Sequence, residues 1–169
     1  MKKLSLIICA GLLLNMAACK PEKFGPIIDE ESFLGNIPAL TGDWVLVSAK
    51  QTDEEAGIKN SPYISKDITS DFPYSEFKLK LNSASNAPTD FTTTPGNSPK
   101  IIPFASGKWE VDNIAAPSQV HFIQGTDTLK AKFGSYPSAF SPSFKLKVDR
   151  VNAESGKVTM TYEYVFTKQ

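Results

Sequence analysis

The sequence has little of what most metal and catalytic sites require: one histidine, His121, and two cysteines, Cys9 and Cys19. Zinc and copper are held mainly by histidine and cysteine, so the sequence predicts no metal site and no cofactor. A serine triad would have to use His121, and no Gly-x-Ser-x-Gly elbow accompanies it. Glu110 and Glu163 each lie between apolar neighbours, which predicts solvated strand faces and not a carboxylate pair for glycoside hydrolysis. We therefore do not expect an enzyme.

Basic residues are not clustered along the chain. The 18 lysine and arginine residues are balanced by 18 aspartate and glutamate residues, and they form no basic run. Binding to a phosphate backbone needs clustered lysine and arginine, so nucleic acid is not an expected partner. No further apolar segment long enough to cross a membrane as a helix follows the first 18 residues.

What the chain does have is an apolar leader. Residues 1–18 carry Lys2 and Lys3 before an apolar stretch that is too short to span a bilayer as a helix. The leader ends in Met16-Ala17-Ala18-Cys19, which resembles the lipobox of bacterial lipoproteins, in which the leader is removed and the cysteine is lipidated. The resemblance implies a signal peptide over residues 1–18 and acyl chains such as palmitate on Cys19, although a plain secretory signal also fits. It implies a cell-envelope protein that is lipid-anchored at the outer membrane, with its periplasmic or surface face left open.

The rest of the chain is predicted to be one domain with a short lead-in. Removal of residues 1–18 would leave a single cysteine, so we expect no intrachain disulfide and a fold held by its core. Residues 19–37 are predicted to form the lipidated tether and a short helix, with Asp29 at its start and Gly35 as its stop. Residues 38–169 are the predicted β domain.

From Trp44 onward, apolar and polar residues alternate with a period of two, which is typical of strands with one wet face. The pattern is clearest at residues 77–81, 129–133, 144–148 and 158–166, and weaker at 44–49, 91–94, 101–104, 108–111 and 120–123. Eight or so strands joined by short turns favour an all-β antiparallel meander. A barrel or a β-sandwich would both deal with the sheet edges. We expect a closed barrel, with the irregular stretches 52–75 and 82–100 at its open ends.

The start of the first predicted strand carries a second resemblance. Leu40-Thr41-Gly42-Asp43-Trp44 resembles the Gly-x-Trp start of lipocalin-like barrels, in which the glycine frees a bend and the indole closes the base. Gly107-Lys108-Trp109 fits the same group. With its leader and short helix, the chain resembles the lipocalin-like lipoproteins common in Bacteroidota, a group without an assigned function. The resemblance covers residues 38–169 and implies a barrel that holds a small apolar or amphipathic ligand, while Trp44 and Trp109 are interpreted as packing residues.

Aromatic residues in irregular, proline-containing segments are the candidate ligand-binding residues: Tyr63, Phe72, Tyr74, Tyr136 and Phe140. Flat rings beside stiff loops can stack on sugar faces or line a pocket mouth, although they can equally pin loops to the core. The leading functional prediction is non-enzymatic binding of a small hydrophobic ligand or glycan fragment by a lipid-anchored barrel. The alternative is an accessory subunit that docks on an outer-membrane or polysaccharide-uptake complex through its strand edge or aromatic loops.

Overall fold

A computed structural model describes residues 36–60, 64–134 and 142–169, and within these ranges the chain is almost entirely β-structure. The described part contains one short helix, α1 (Asn36–Leu40), a 3-10 turn (Tyr74–Glu76) and nine strands. The strands are β1 (Gly42–Asp53), β2 (Ser65–Asp67), β3 (Lys78–Ala84), β4 (Ala87–Thr94), β5 (Ser106–Val111), β6 (Gln119–Gln124), β7 (Asp127–Phe133), β8 (Ser143–Val151) and β9 (Val158–Lys168). The predicted all-β class is confirmed.

The strands form a closed antiparallel barrel. Their order in the sheet is β2-β1-β3-β4-β5-β6-β7-β8-β9, and β1 also pairs with β9, which closes eight strands into a ring with β2 as an extra strand on β1. All of the pairings are antiparallel. Closure satisfies the backbone groups that an open sheet would leave at its edges. The predicted meander barrel is therefore confirmed over the β-sandwich.

The barrel is much longer on one side than on the other. The β1–β9 ladder runs from Trp44 opposite Lys168 to Asp53 opposite Met160, whereas β1 pairs with β3 only over its first four residues. Similarly, β7 and β8 share only two residue pairs. The second half of β1, β2 and the adjoining parts of β8 and β9 therefore project beyond the ring. We call this projecting end the mouth and the opposite end, which holds α1, the closed end.

The closed end is plugged by α1. Ile37 and Leu40 are buried, and the Trp44 Nε1 group donates a hydrogen bond of 2.8 Å to the Leu40 carbonyl. Asn36 Nδ2 donates to the Ala115 carbonyl at 2.9 Å, which ties the helix to the β5–β6 loop. These contacts hold the plug in place. The helix predicted from Asp29 lies outside the described residues, and α1 follows it in the chain.

Gly42 is required by its backbone at the base of the barrel. Its φ is +132°, a conformation that side chains with a Cβ rarely adopt, and an added Cβ would lie 2.8 Å from Lys168 Cε. The Lys168 ammonium in turn lies 5.4 Å from the centre of a Trp44 ring. The Gly-x-Trp pattern thus marks a tight bend at the closed end, with both of its residues in structural positions.

Aromatic rings in contact fill the middle of the barrel. The Phe144 ring lies 4.6 Å from the Trp44 ring, edge-on, and stacks on Phe166 at 5.2 Å. Farther round the wall, Phe91 and Phe122 meet edge-on at 5.0 Å. All five rings are at most 1% exposed. Because each buried aromatic side chain contributes about 1.5–3 kcal/mol, this packed interior provides much of the stability of the fold.

Three connecting segments differ from the prediction. Residues 101–104 do not form the expected strand: Ile101 and Ile102 are buried, but they pack from a loop in which Pro103 has no N–H for a ladder. The expected irregular stretch 82–100 contains the end of β3 and all of β4, because Ser85 and Asn86, both at positive φ, make a tight hairpin turn. The stretch 52–75 contains the end of β1, all of β2 and the start of the 3-10 turn.

Candidate functional site

Four aromatic rings lie together at the mouth. Tyr162 and Tyr164 alternate onto the inner face of β9, and their rings are nearly parallel with centres 6.2 Å apart. Tyr74 approaches Tyr164 at 6.3 Å, and Phe72 meets Tyr74 edge-on at 5.8 Å. We call these four residues the mouth rings. They run from the buried interior to the solvent, since Tyr74 is 4% exposed and Phe72 is 53% exposed.

The loop that brings Phe72 and Tyr74 to the mouth is held by local hydrogen bonds. Thr69 N donates to Asp67 Oδ1 at 2.8 Å, and Thr69 Oγ1 accepts from the Ala49 N–H of β1 at 3.0 Å. The 3-10 turn that follows is closed by a bond from Phe77 N to the Tyr74 carbonyl. The loop is therefore anchored to β1 on one side and to the start of β3 on the other.

A groove of about 340 Å³ opens beside the mouth rings. The strand register places Gln51 opposite Lys66 of β2 on one side and opposite Tyr162 of β9 on the other. Residues directly opposite each other in antiparallel strands point to the same face of the sheet, so these three share the face that continues the barrel interior. The groove, which we call the mouth groove, is lined by Gln51, Asp53, Ile64, Ser65 and Lys66.

The charged groups of the mouth groove are paired with each other or with near neighbours. Lys66 Nζ donates to Asp71 Oδ2 at 2.7 Å. Asp53 lies 3.3 Å from the Lys59 ammonium, which also lies 3.1 Å from Glu55. Hydrogen bonding to Glu55, together with the bond to Asp53, raises the pKa of Lys59, so that this lysine remains a cation. The two cations nearest the groove are therefore already paired with carboxylates.

Tyr74 and Tyr164 stay neutral over the ordinary pH range. Burial, followed by the nearby Tyr162 and Asp71, raises the pKa of Tyr74. Burial also raises the pKa of Tyr164, and Tyr74 and Tyr162 add to the effect. These residues therefore act as flat rings with neutral hydroxyls, and not as phenolate bases or nucleophiles.

The predicted site residues fall into three groups. Phe72 and Tyr74 lie together at the mouth, as described above. Tyr63, Tyr136 and Phe140 lie outside the described residues, as does Cys19. Gly42 and Trp44 lie at the closed end, away from the mouth rings. Tyr162 and Tyr164 are not among the predicted site residues, although their Tyr-x-Tyr alternation in β9 is visible in the sequence.

The residues considered for catalysis lie on the outer face of the barrel. Glu110, His121 and Lys130 form one row across β5, β6 and β7, with Glu110 exposed and His121 half-buried. Glu163 lies between Lys145, at 3.1 Å, and Lys147, at 3.4 Å. Burial raises its pKa, but the hydrogen bonds and charges of these two lysines outweigh burial, and the net pKa is lowered. The described residues contain no cluster of three or more potential metal ligands.

A second groove, of about 460 Å³, lies on this outer face. The described residues of its lining include no aromatic ring, and its Lys132 ammonium is paired with Asp149 at 2.7 Å. It is lined by Glu54, Lys132, Lys147, Asp149, Val158 and Thr161. The mouth groove, with rings beside it, is the stronger candidate for a ligand site.

Comparison with known proteins adds no assignment: no family model matches the chain, and no curated protein matches it. Within the part of the chain that the structure describes, no helix has the length and apolar character needed to cross a bilayer.

Proposed function

We propose that this protein is a lipid-anchored, non-enzymatic binding protein of the cell envelope that holds a glycan fragment at the mouth of its barrel. The observation that carries the proposal is the mouth itself. There, the mouth rings grade from buried to exposed beside a groove whose lining combines mainly apolar surface, including Ile64, with the polar side chains of Gln51, Asp53 and Lys66. Sugars present flat apolar faces and a rim of hydroxyls, and such a combination of rings and polar groups is complementary to both.

The packed interior argues against the small-hydrophobe version of the prediction. Lipocalin-like binding of an apolar molecule inside the barrel requires space at its centre. The rings of Trp44, Phe144 and Phe166 fill that space: the centre of the Phe144 ring lies 4.6 Å from that of Trp44 and 5.2 Å from that of Phe166. A ligand at the mouth needs no rearrangement of these rings, so the proposal places it there.

Lipid anchoring is supported by the leader and its lipobox-like end. The described chain begins at α1, so the segment that leads back to Cys19 joins the barrel at the closed end, with the mouth at the other. Two or three acyl chains bind a bilayer far more tightly than one chain does. Radiolabelled palmitate should enter the wild-type chain and not Cys19→Ala, and the variant should leave the membrane fraction. Equal partitioning of the two proteins would contradict the anchor.

Glycan binding is tested by isothermal titration of the full chain with neutral gluco-oligosaccharides. Loss of one stacking ring should weaken binding by about three- to tenfold, so Phe72→Ala and Tyr162→Ala should both raise the Kd. Ile114→Ala is the matched control, because Ile114 is 47% exposed and lies in the β5–β6 loop at the closed end. Equal losses in the control and the mouth variants, or no binding by wild type, would contradict the proposal.

Docking on a partner protein is the second candidate, and β2 favours it. Within the described residues this three-residue strand pairs only with β1, and Ile64 beside it is 65% exposed. An open strand edge is a place where a strand of another chain can add. A photo-cross-linker at Ser65 should capture a stoichiometric envelope protein if docking is the function. Wild-type protein that carries a sugar and captures no partner would exclude it.

A further inference from the structure

We infer that the mouth groove selects neutral sugars over acidic ones, an inference that rests on the proposed glycan-binding function. Uronic acids, sialic acids and phosphorylated sugars each bring a negative charge. The groups around the groove would have to supply an uncompensated cation to favour such a ligand. The two described lysines nearest the groove, Lys59 and Lys66, are both paired with carboxylates and so do not supply such a cation.

Among the described residues that line the groove, Lys66 is the one cation. Its ammonium is held 2.7 Å from Asp71 Oδ2, a distance typical of a strong charge-assisted hydrogen bond. A carboxylate ligand would have to displace Asp71 or share the lysine with it. A sugar hydroxyl can accept a hydrogen bond from the same ammonium without breaking the pair, because an ammonium group has three donors.

The next cation, Lys59, is shared between two carboxylates. It lies 3.3 Å from Asp53 and 3.1 Å from Glu55. Around the groove, two ammonium groups therefore face three carboxylates, those of Asp53, Glu55 and Asp71. These five groups carry one net negative charge, and the repulsion between that charge and a ligand anion about 4 Å away in water corresponds to about a fivefold loss of affinity.

The polar groups that remain suit hydroxyls. Gln51 supplies an amide that both donates and accepts. The Asp53 carboxylate, which is 22% exposed, can accept from a sugar hydroxyl. A carboxylate pointing into the groove favours hydroxyl donors and disfavours ligand anions, so the lining and the net charge point to the same class of ligand.

The inference is tested with pairs of oligosaccharides of equal length and linkage that differ only at C6, as hydroxymethyl or carboxylate. Wild type should bind the glucose oligomer at least about fivefold more tightly than the glucuronate oligomer at low salt, and added salt should narrow the gap. Glucuronate binding that equals or exceeds glucose binding would overturn the inference and leave the proposed function standing. Absence of binding by both sugars would contradict the proposed function and, with it, this inference.

The variant Asp71→Asn tests the inference more directly, because the substitution removes one negative charge and frees the Lys66 ammonium from its ion pair. Binding of the glucuronate oligomer should tighten by about tenfold, and binding of the glucose oligomer should change by less than about twofold. Asp43→Asn is the matched control: Asp43 lies 3.8 Å from the Lys80 ammonium at the closed end, so the variant also frees a lysine, but far from the groove. Glucuronate affinity that stays the same in Asp71→Asn, or rises equally in Asp43→Asn, would overturn the inference.

Discussion

The two ends of this barrel use aromatic residues in opposite ways. At the closed end, Trp44 and Trp109 are at most 1% exposed, and their indole N–H groups donate to the carbonyls of Leu40 and Asn82. At the mouth, Phe72 is 53% exposed, and the mouth groove opens beside the rings. An aromatic residue whose surface and polar group are both satisfied inside the fold serves packing, whereas one that keeps an open face is available to a ligand.

Strand pairing explains why the ends differ. At the closed end the eight strands of the ring pair with their neighbours, and α1 covers the opening. Toward the mouth, β1 leaves β3 after Val45, and β8 leaves β7 after Lys147, so the wall opens and the inner faces of β1 and β9 reach solvent. The mouth therefore exists because the β1–β3 and β7–β8 pairings end before the β1–β9 pairing does.

The largest difference should appear when a large ring is removed at each end. Trp44→Ala should destabilise the fold by about 3–5 kcal/mol, because the substitution leaves a cavity among packed rings. Phe72→Ala should change stability by no more than about 1 kcal/mol, since about half of its surface is already in water. Urea unfolding of both variants makes the comparison, and equal losses would contradict the division into a structural end and an open end.

The next largest effect tests how tightly the wall between the ends is packed. An added Cβ at Gly107 would lie 2.1 Å from the Ile123 carbonyl oxygen and 3.0 Å from the Phe91 ring. Gly107→Ala should therefore cost about 1–3 kcal/mol or more in urea unfolding. Gly57→Ala is the control, because nothing lies within 4 Å of a Cβ there. A neutral Gly107→Ala would indicate that the wall yields easily.

A smaller effect concerns the plug. Asn36→Ala removes the donor that binds the Ala115 carbonyl at 2.9 Å and the Ile114 carbonyl at 3.3 Å. The loss should be about 1 kcal/mol of stability, with glycan affinity unchanged because the mouth is at the other end. Urea unfolding and titration of the same variant measure both. A change in affinity without a change in stability would mean that the two ends are not independent.

The smallest effect is one of pH on the closed-end loop. Asp112 accepts hydrogen bonds from Ser118 N, Ser118 Oγ and Gln119 N at 2.9, 2.5 and 2.9 Å. Partial burial raises its pKa, but these bonds outweigh burial and lower it from 3.8 to about 2. Because the folded-state pKa is the lower one, the stabilisation is present above about pH 4 and is lost as the pH falls toward 2.

Wild type and Asp112→Asn are compared by urea unfolding at about pH 5 and about pH 3. The stability advantage of wild type should shrink at the lower pH. Asp127→Asn, in the β6–β7 turn toward the mouth, removes the same charge and is the control. An advantage that is the same at both values would show that the Asp112 hydrogen bonds do not stabilise the folded state.

The barrel could be predicted because its inner residues alternate strictly. Phe77, Leu79 and Leu81 are all at most 2% exposed, as the period of two requires. The Gly-x-Trp pattern could likewise be interpreted, because a glycine bend and a closing indole are local features. Burial alone does not identify a strand. Ile101 and Ile102 are buried, but the strand predicted over residues 101–104 does not form.

The site was less predictable because it depends on ladder lengths. Phe72 and Tyr74 stand out in the sequence beside a proline, whereas Tyr162 and Tyr164 look like ordinary core positions of a strand. Their access to a ligand follows from β1 parting from β3, which no local pattern encodes. The Lys66–Asp71 pair is equally invisible in the sequence, because it depends on how the loop after β2 turns back toward that strand.

The most direct test of the division between a binding end and a packing end is amide NMR of the full chain during titration with a neutral gluco-oligosaccharide. Shifts are expected to concentrate at Gln51, Lys66, Phe72 and Tyr162, while the Trp44 indole signal stays in place. Shifts centred on Trp44 and Phe144 would place the ligand inside the barrel and would contradict binding at the mouth.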